Sequence, residues 1–448
     1  MIFGSISEYR AIGCAVHCPY SDQLGIAKIE DQVQRGTLNF EIVLSKLTFL
    51  FLGSALIGTA HGCAHADTSH PGPDDGKDDT AAIQSLIDDA AERGGGTVRL
   101  DVGTYNISRP IILRTGVSLI GRGPETVITN EGLNNRDDWF GGTIIAGTLS
   151  PPMWSDNSGL GYPQLDARRL SDKSIELMRC DASLLPKERE IVWLSSASGE
   201  RQKGGNFRPT YGELNRIVAA DGCTLTLQDR IIIPSAEALK FARADGSKSK
   251  PRVAPSVPIA DVTIRDLQLR SASGQALRVT GCYSCTFENL TLGRTRRLLM
   301  VQGMRHGIYR NIKGVFRERG LEFTMFTWDN IVENVDARFE FEANTAVSDI
   351  RPAVRFGEFA RGNTVKNVRL DLGPRYAKRI KLRFDASGQN SLSNILLIAP
   401  GYDDRRTLVV KTSGKPASTS MEDLEETKLD YVRVCNEAGE VRCTFVVR

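Results

Sequence analysis

The sequence has little net charge, few histidines and no long hydrophobic run. Its 448 residues carry 57 Lys and Arg against 54 Asp and Glu, a formal net charge of +3. This balance does not provide the basic stripe that nucleic-acid-binding proteins use, although a local basic face for an acidic polymer stays open. Five histidines leave few ligands for a zinc site. We therefore expect neither a nucleic-acid partner nor zinc.

The most apolar stretch, residues 47–60, is too short to span a membrane and is typical of a signal peptide. It is free of charge over fourteen residues, with Lys46 before it and the small residues Ala64 and Ala66 after it. We predict that residues 1–66 form a signal-peptide region. The mature protein would then be periplasmic or secreted, with no stable membrane span after cleavage. The residues before Lys46 indicate either a translation start assigned too early or an uncleaved anchor.

Six of the nine cysteines follow this region. Cys435 and Cys443 flank a predicted C-terminal hairpin, and a disulfide between them would suit an oxidising compartment. Cys282 and Cys285 have the CxxC spacing, but a zinc site would need two further ligands. This pair is expected to be either two wall cysteines or one disulfide.

A repeat runs through the second half of the chain. Short β-rich segments share one position occupied by an acid or an amide, namely Asp266, Asn289, Asn311, Asn334, Asn367 and Asn394, at intervals of 23, 22, 23, 33 and 27 residues. A rung of a parallel β-helix takes about twenty residues, so the longer intervals indicate turns that carry loops. Asn suits such turns because it tolerates the left-handed conformation and can bond to the Asn of the next rung.

We therefore predict an all-β fold, a right-handed parallel β-helix with an N-terminal capping helix. Asp78, Asp79 and Thr80 begin that helix, and Gly94 and the two glycines after it end it, so the aspartates are interpreted as helix caps. The predicted organisation is a linker at 67–77, the β-helix at 78–430 with a small antiparallel β elaboration inserted at about 130–258, and a β-hairpin at 431–448.

The N-terminal motifs resemble those of the pectate-lyase superfamily. The motifs that carry the resemblance are Asp78–Ile83, Gly94–Val98, Gly103–Tyr105 and Gly116–Gly121. That superfamily also includes relatives of polygalacturonases, polysaccharide epimerases and phage tailspikes, and its N-terminal helix caps the β-helix. The resemblance is close over residues 78–123 and extends by general pattern to Ile398. It implies the β-helix fold and a polysaccharide partner.

The motifs of the named activities are missing, so the resemblance indicates a fold and not a reaction. The repeat region has no Gly-His-Gly with clustered aspartates of the polygalacturonase kind and no Asp-Pro-His-Asp of the alginate-epimerase kind. The calcium-binding aspartate cluster of pectate lyases is also not recognisable. Calcium therefore stays open without a site, and no metal ligand is assigned.

Alternation along the predicted rungs places charged side chains on an outer face. They are Glu322, Arg338, Glu340, Glu342, Arg355, Lys381 and Arg383. In a lyase acting on a uronate polymer, Arg355, Lys381 or Arg383 would hold the carboxylate. In a glycosidase, Glu322 with Glu340 or Glu342 would supply the two carboxylates. The plainer interpretation is a surface of mutually paired charges.

The candidate site also includes His306, Tyr309 and Trp328. Arg338, from the charged set above, is a candidate substrate contact. His306 precedes a rung and is a candidate base, with an ordinary turn histidine as the plainer interpretation. Tyr309 is a candidate base or substrate contact. Trp328 would either stack on a sugar ring or cover the core where a turn bulges.

The preferred function is an exported polysaccharide-processing protein, with lyase cleavage of an acidic, uronate-containing glycan ahead of hydrolysis. One alternative is a glycoside hydrolase with a glutamate pair. Another is a non-catalytic glycan binder or a structural protein of the cell envelope. A phage tailspike is opposed by the predicted signal peptide and by the lack of a recognisable trimerising C-terminal domain.

Overall fold

The structure is a computed structural model. It describes residues 71–130, 142–147, 164–178, 187–196, 199–201, 207–209, 212–233, 239–242, 258–271, 274–340, 352–357, 360–374, 381–385, 389–400, 409–413, 428–435 and 443–446. All of these belong to one compact unit that covers residues 68–448. The predicted signal-peptide region lies outside the described residues, so export stays a prediction. In the part of the chain that the structure describes, no helix has the length and apolar composition needed to cross a membrane.

One helix, α1 (Thr80–Glu92), comes before a long series of strands. The strands are β1 Gly96–Arg99, β2 Gly103–Asn106, β3 Ile111–Ile112, β4 Val117–Ile120, β5 Thr126–Thr129, β6 Gly142–Gly147, β7 Gln164–Ser171, β8 Ser174–Leu177, β9 Ile191–Ser196, β10 Gly199–Arg201, β11 Phe207–Pro209, β12 Gly212–Asp221, β13 Thr224–Leu227, β14 Leu239–Ala242, β15 Ile259–Ala260, β16 Thr263–Arg270, β17 Gln275–Tyr283, β18 Thr286–Arg305, β19 Ile308–Thr324, β20 Ile331–Phe339, β21 Val354–Phe356, β22 Thr364–Asp371, β23 Lys381–Asp385, β24 Ser391–Ile398, β25 Val409–Ser413, β26 Lys428–Cys435 and β27 Cys443–Val446.

Parallel pairing arranges most of these strands into three sheets around one core. The first sheet contains β1, β4 and the first halves of β16, β18, β19, β20, β22, β24 and β26. The second sheet contains β2, β5 and the second halves of those long strands. The third sheet contains β3, β6, β17, the ends of β18 and β19, and then β21, β23 and β25. The predicted right-handed parallel β-helix is confirmed.

The repeated Asp and Asn positions form the bend between the first and second sheets. All six adopt the left-handed conformation, with φ between 51° and 58°. Each Asn donates its Nδ2 to the side-chain oxygen one rung earlier, from Asn289 to Asp266 at 2.7 Å through to Asn394 and Asn367 at 2.9 Å. The predicted stacking of amides is therefore present, and we call this row the outer ladder.

A second amide ladder, which the sequence analysis missed, lies inside the protein. Asn330, Asn363 and Asn390 are each at most 1% exposed. Asn330 Nδ2 donates to Asn363 Oδ1 at 2.8 Å, and Asn363 Nδ2 donates to Asn390 Oδ1 at 2.9 Å. Each also donates to a backbone carbonyl, as Asn363 does to Thr327 O at 2.9 Å. Because every polar atom finds a partner, this inner ladder can lie in a core that would otherwise exclude it.

Side chains alternate between the core and the outside along each rung, as strand geometry requires. One inward row contains Phe287, Tyr309, Val332, Val365 and Leu392, all of them buried. On the outside of the first sheet, charges of opposite sign occupy successive rungs and form ion pairs. Arg310 contacts Glu288 at 3.3 Å and Glu333 at 3.5 Å, and Lys366 contacts Glu333 at 3.0 Å.

Helix α1 covers the first rungs with Ile83, Ile87 and Ala90. Asp79 occupies the N-cap position, but its side chain does not cap the helix. Asp78 does so instead, because its Oδ1 accepts Thr80 N at 3.0 Å and also Ser108 N at 3.0 Å. Asp78 therefore links the start of the helix to the strand region after β2, and only part of the capping prediction is right.

The inserted elaboration is a closed antiparallel barrel. Its strands follow the order β12, β13, β8, β7, β14 and β9, and its own apolar core contains Ile175, Val192, Ile217 and Leu225. The insertion begins later than the predicted residue 130, because β6 pairs with β3 and β17 inside the β-helix. The β-helix resumes at β15, which pairs with β17.

The cysteines of the described region agree with an oxidised protein. Cys282 and Cys285 form a disulfide across the turn that follows β17. Cys435 is disulfide-bonded, and the antiparallel pairing of β26 with β27 places it directly opposite Cys443. The second of the two interpretations of the CxxC pair is therefore confirmed.

The inner ladder should matter more for stability than the outer one. Asn363→Ala would leave Asn330 N without its acceptor, and it would remove the hydrogen bonds that Asn363 Nδ2 donates to Asn390 Oδ1 and Thr327 O, all in the core. We expect a loss of about 3 kcal/mol or more in the free energy of unfolding. The control Asn334→Ala, in the outer ladder, should cost about 1 kcal/mol. Urea unfolding followed by circular dichroism measures both, and equal losses would contradict the prediction.

Tyr431 offers a stabilising substitution. It is the residue after Asp430, which pairs with Ser393, and it therefore continues the outer ladder beyond Asn394. Its φ is 53° and it is 68% exposed. Tyr431→Asn should raise the unfolding midpoint, because Asn tolerates this conformation and can donate to Asn394 Oδ1, for a gain of about 1 kcal/mol. Tyr431→Ala, which lacks the amide, should show no such gain in the same thermal scan.

Candidate functional site

The outer face of the third sheet presents a row of polar and charged side chains. Met300, Glu322, Arg355 and Arg383 occupy one register position on four successive rungs. The flanking residues of Glu322, Leu321 and Phe323, are fully buried in the core, so Glu322 itself points away from it. We call this row and the arginines that contact it the arginine strip.

Glu322 lies at the centre of the strip and is only 2% exposed. Arg355 NH1 is 2.9 Å from its Oε1, Arg297 NH1 is 3.5 Å from its Oε2, and Arg319 also pairs with it. Burial alone would raise the pKa of Glu322, but the charges of Arg319 and Arg297 outweigh it and lower that pKa below its ordinary value. Glu322 is therefore a buried carboxylate that stays ionised.

Among the side chains that the structure describes, arginines outnumber carboxylates in this part of the surface. Glu318 pairs with Arg296, and it lies 3.6 Å from Arg319 and 4.0 Å from Arg297. Arg278 is 4% exposed, and burial together with the charge of Arg297 lowers its pKa to about 10. Among the described residues, the strip thus holds six arginines, Arg278, Arg296, Arg297, Arg319, Arg355 and Arg383, and the two carboxylates of Glu318 and Glu322.

The structure brings together only some of the residues proposed from the sequence. Glu322, Arg355 and Arg383 share the row described above. The plainer interpretation, mutually paired surface charges, is right in that Glu322 pairs with Arg319 and Arg355, but Glu322 is buried and not a surface charge. The backbone of Lys381 begins β23 and is next to Leu382, but its side chain lies outside the described residues, as does the whole of Glu342.

Arg338 and Glu340 belong to a different surface. Arg338 lies in the second-sheet half of β20, is exposed, and pairs in register with Val315 and Asp371. Glu340 binds Arg294 through both oxygens, at 2.8 Å and 2.9 Å. Its side-chain hydrogen bond with Arg294 lowers the pKa of Glu340. The expected grouping of these two residues with Glu322 on one face is therefore wrong, because the bend at Asn334 turns the chain away from the third sheet.

Tyr309 and Trp328 are also unsuitable as contacts for a glycan. Tyr309 is 1% exposed and stacks on Phe287 in the core with 4.8 Å between ring centroids, and its burial raises its pKa well above the ordinary value. Trp328 is 3% exposed, and its Nε1 donates to Gly212 O of the inserted barrel at 2.9 Å. Trp328 thus covers the core at the turn, which was the second of its two interpretations.

His306 lies where the inserted barrel meets the β-helix. Its backbone is left-handed, with φ of 55°, and its ring is partly exposed. Its Nε2 is 3.0 Å from Asp229 Oδ2, and Asp229 also accepts a hydrogen bond from Tyr283 at 2.5 Å. This Asp229–His306 pair connects two parts of the fold, and a role of His306 as a base in the arginine strip gains no support.

Four arginines of the strip, Arg278, Arg296, Arg297 and Arg319, were missed from the sequence, as was Glu318. Arg297 and Arg319 are register partners, 22 residues apart, which is the period of the repeat in that region. A search for cations that recur at the rung period would have found this pair. Among the described residues, no group of three His, Cys, Asp or Glu side chains is arranged to hold a metal ion.

Comparison with known proteins agrees with the N-terminal motifs. Residues 67–148 match the family model described as "Rhamnogalacturonase A/epimerase, pectate lyase-like". The resemblance to the pectate-lyase superfamily is therefore confirmed for this segment, which is a minor part of the chain. A sequence search of curated proteins returned no match.

Solved structures that the comparison returned include two phage tailspikes and a GH87 alpha-1,3-glucanase. The tailspike gp49 of Pseudomonas phage LKA1 has a TM-score of 0.36 and 14% identity, over 80% of this chain and 52% of the tailspike. The HK620 tailspike of an E. coli bacteriophage, in complex with pentasaccharide, has a TM-score of 0.31 and 11% identity, over 80% and 53%. The catalytic domain of a GH87 alpha-1,3-glucanase has a TM-score of 0.33 and 11% identity, over 80% and 45%. The chain spans about half the length of these proteins, and no residue role is transferred from them.

Glu322 should be necessary for the stability of the strip. Glu322→Gln would leave Arg297, Arg319 and Arg355 close together without their shared counter-charge. Removing one partner of a buried ion pair costs about 3 kcal/mol or more. The control Glu333→Gln, on the outside of the first sheet, should shift the unfolding midpoint far less because solvent screens its partners. Thermal unfolding of both variants checks this, and similar shifts would contradict it.

Proposed function

We propose that this protein is exported, binds an acidic polysaccharide along the arginine strip, and cleaves it by β-elimination. The observation that carries the proposal is the cluster of arginines around Glu322, at a position that is largely shielded from water. Such a cluster suits an anionic ligand, because guanidinium groups bind carboxylates in bidentate fashion and shielding strengthens the attraction. The resemblance to glycan-processing β-helix proteins indicates a polysaccharide as the source of those carboxylates.

The chemistry of a lyase fits a site with many cations and few acids. Arginines that neutralise a uronate carboxylate acidify the adjacent C–H proton, so that a base can remove it and expel the linked sugar oxygen. Tyr309 is excluded as the base because it lies in the core, and His306 because it lies at the contact with the inserted barrel. Arg278 remains as the candidate base in alkaline solution, because burial brings its pKa down to about 10 and the side chain is protonated at neutral pH.

Hydrolysis is the second candidate reaction, but neither described candidate glutamate is suited to act as the protonated acid that it needs. A glycosidase needs one protonated and one ionised carboxyl group near the scissile bond. Ion pairing lowers the pKa of both Glu322 and Glu340, so neither is suited to donate a proton. The third candidate, a non-catalytic glycan binder, needs only the strip itself.

Export is proposed from two independent features. The charge-free run at 47–60 has the layout of a signal peptide. Disulfide bonding at Cys282, Cys285 and Cys435 suits an oxidising compartment. Fractionation of the native host, with detection of the protein in periplasm or medium, checks this part of the proposal.

The test of the reaction uses protein that begins at residue 67 and a panel of acidic and neutral polysaccharides. We expect ultraviolet absorbance from unsaturated uronate to rise together with new reducing ends on an acidic glycan. Arg355→Gln should lower kcat/KM by about a hundredfold, as for the loss of one preorganised charge contact. The control Arg369→Gln, an exposed arginine of the second sheet, should leave kcat/KM unchanged.

Other outcomes would choose between the alternatives. Reducing ends without absorbance would contradict elimination and support hydrolysis. Binding of an acidic glycan without cleavage, lost in Arg355→Gln, would support the non-catalytic binder. The absence of both binding and cleavage across the panel would overturn the proposal.

A further inference from the structure

The inserted barrel and the β-helix meet at a joint that contains buried charges. The barrel contributes Glu213 of β12 and Asp229, which follows β13, and the β-helix contributes Tyr283, Arg305 and His306. The same contact has an apolar part in which residues of both units pack together, namely Ile191, Trp193, Leu214, Ala260, Tyr283, Phe326 and Trp328. We call this region the barrel–helix joint.

Arg305 is the charge at the centre of the joint, and it is 3% exposed. It donates NH1 to Leu214 O at 3.1 Å and NH2 to Arg230 O at 3.3 Å, so the β-helix holds the barrel backbone directly. Its guanidinium also faces three carboxylates, Glu213 at 3.6 Å, Asp229 at 3.4 Å and Asp329 at 3.8 Å.

Glu213 has no solvent exposure and lies against Arg305 from the barrel side. Its Oε2 accepts Ile232 N at 2.7 Å, and its Oε1 accepts Asn215 Nδ2 at 3.3 Å. Burial raises the pKa of Glu213 to about 7, and the charge of Arg305 and these hydrogen bonds oppose that rise only in part. Full burial, in a cluster where three carboxyl groups share the single guanidinium of Arg305, thus favours the protonated form of Glu213 in the closed joint.

The other charged groups of the joint behave differently. Burial alone would raise the pKa of Asp229, but hydrogen bonds from His306 and Tyr283 and the charge of Arg305 lower it to about 2. Burial raises the pKa of Asp329, against the charge of Arg305. On the barrel side, Arg216 binds both oxygens of Asp261 at 2.7 Å and lies 4.8 Å above the Tyr283 ring.

We propose that the barrel–helix joint is proton-linked, so that a proton on Glu213 favours the seated barrel and its loss favours local opening. The inference does not depend on the proposed reaction. The closed joint binds the Glu213 proton up to about pH 7, whereas an opened, hydrated glutamate releases it near its ordinary value of 4.5. Between those values the closed state holds more protons, so its stability falls as pH rises.

The opposite limit comes from Asp229. The pKa of Asp229 is about 2 in the closed joint and 3.8 in an opened one. The closed state therefore loses stability as pH falls through this range. The joint should be tightest in mildly acidic solution, above the Asp229 range and below the Glu213 range.

Hydrogen exchange of the protein that begins at residue 67 tests the proposal. Exchange is measured by mass spectrometry at several pH values and corrected for the intrinsic rate. The opening constant reported by β9 and β12 should rise roughly tenfold or more between pH 4.5 and 7, while β20 and β22 stay unchanged. Glu213→Gln should remove this rise, and the control Glu125→Gln, at an exposed carboxyl, should keep it.

Two further measurements keep the test decisive. His306 contacts Asp229 in the same joint, so His306→Gln is included, and loss of the pH dependence in that variant alone would overturn the assignment to Glu213. Persistence of the full rise in Glu213→Gln would overturn it as well. If Glu213→Gln does not fold, infrared spectra of the unsubstituted protein decide. A protonated carboxyl band that persists above pH 4.5 and disappears near 7 supports the proposal, and its absence overturns it.

Discussion

Each rung must turn at the same places, and the left-handed backbone at those turns is the constraint on which the structure depends. The outer ladder occupies one such row. A second row contains Asp261, Ser284, His306, Asp329, Gly362 and Gln389, all with φ between 52° and 67°. Left-handed residues cost free energy unless their side chains or neighbours compensate. Stacked amides provide this compensation in the first row, and in the second row His306 and Asp329 take part in the contacts around Arg305.

The two rows of turns fix the positions of the arginine strip and of the inserted barrel. The third sheet presents the arginine strip on its outer face, and the inserted barrel contacts the second row of turns at His306. Glu322 holds three arginines that would otherwise repel one another. The same cluster of arginines is the one that we propose to bind an anion. A buried cluster of this kind maintains its geometry without a ligand, which preorganisation for an anion requires.

The fold could be predicted because it repeats. Asp266 and the five Asn positions after it report the rung period, and the glycines after α1 report its end. The surroundings of individual side chains were harder to predict, because alternation along a strand gives the direction of a side chain but not which residues cover it. Glu322 points outward as expected and is nevertheless buried, while Tyr309 belongs to the inward row of Phe287 and Val332 and should have been excluded. The inner ladder had a signal as well, since Asn330, Asn363 and Asn390 each come four residues before an Asn of the outer ladder. Arg305, in contrast, donates to backbone carbonyls 91 and 75 positions away, which a local pattern does not reveal.

The last strand, β27, runs antiparallel to β26, and this reversal of strand direction affects how molecules can associate. A parallel β-helix exposes unpaired backbone donors and acceptors at both ends of its stack, where further strands could add. Helix α1 covers the first rungs, and β27 pairs antiparallel with the second half of β26. Cys435, a disulfide-bonded residue of β26, lies opposite Cys443 in that pairing, and the two strands close off part of the last rung. The hairpin thus protects a template-like edge, and a protein that lost it would be more prone to end-to-end polymerisation.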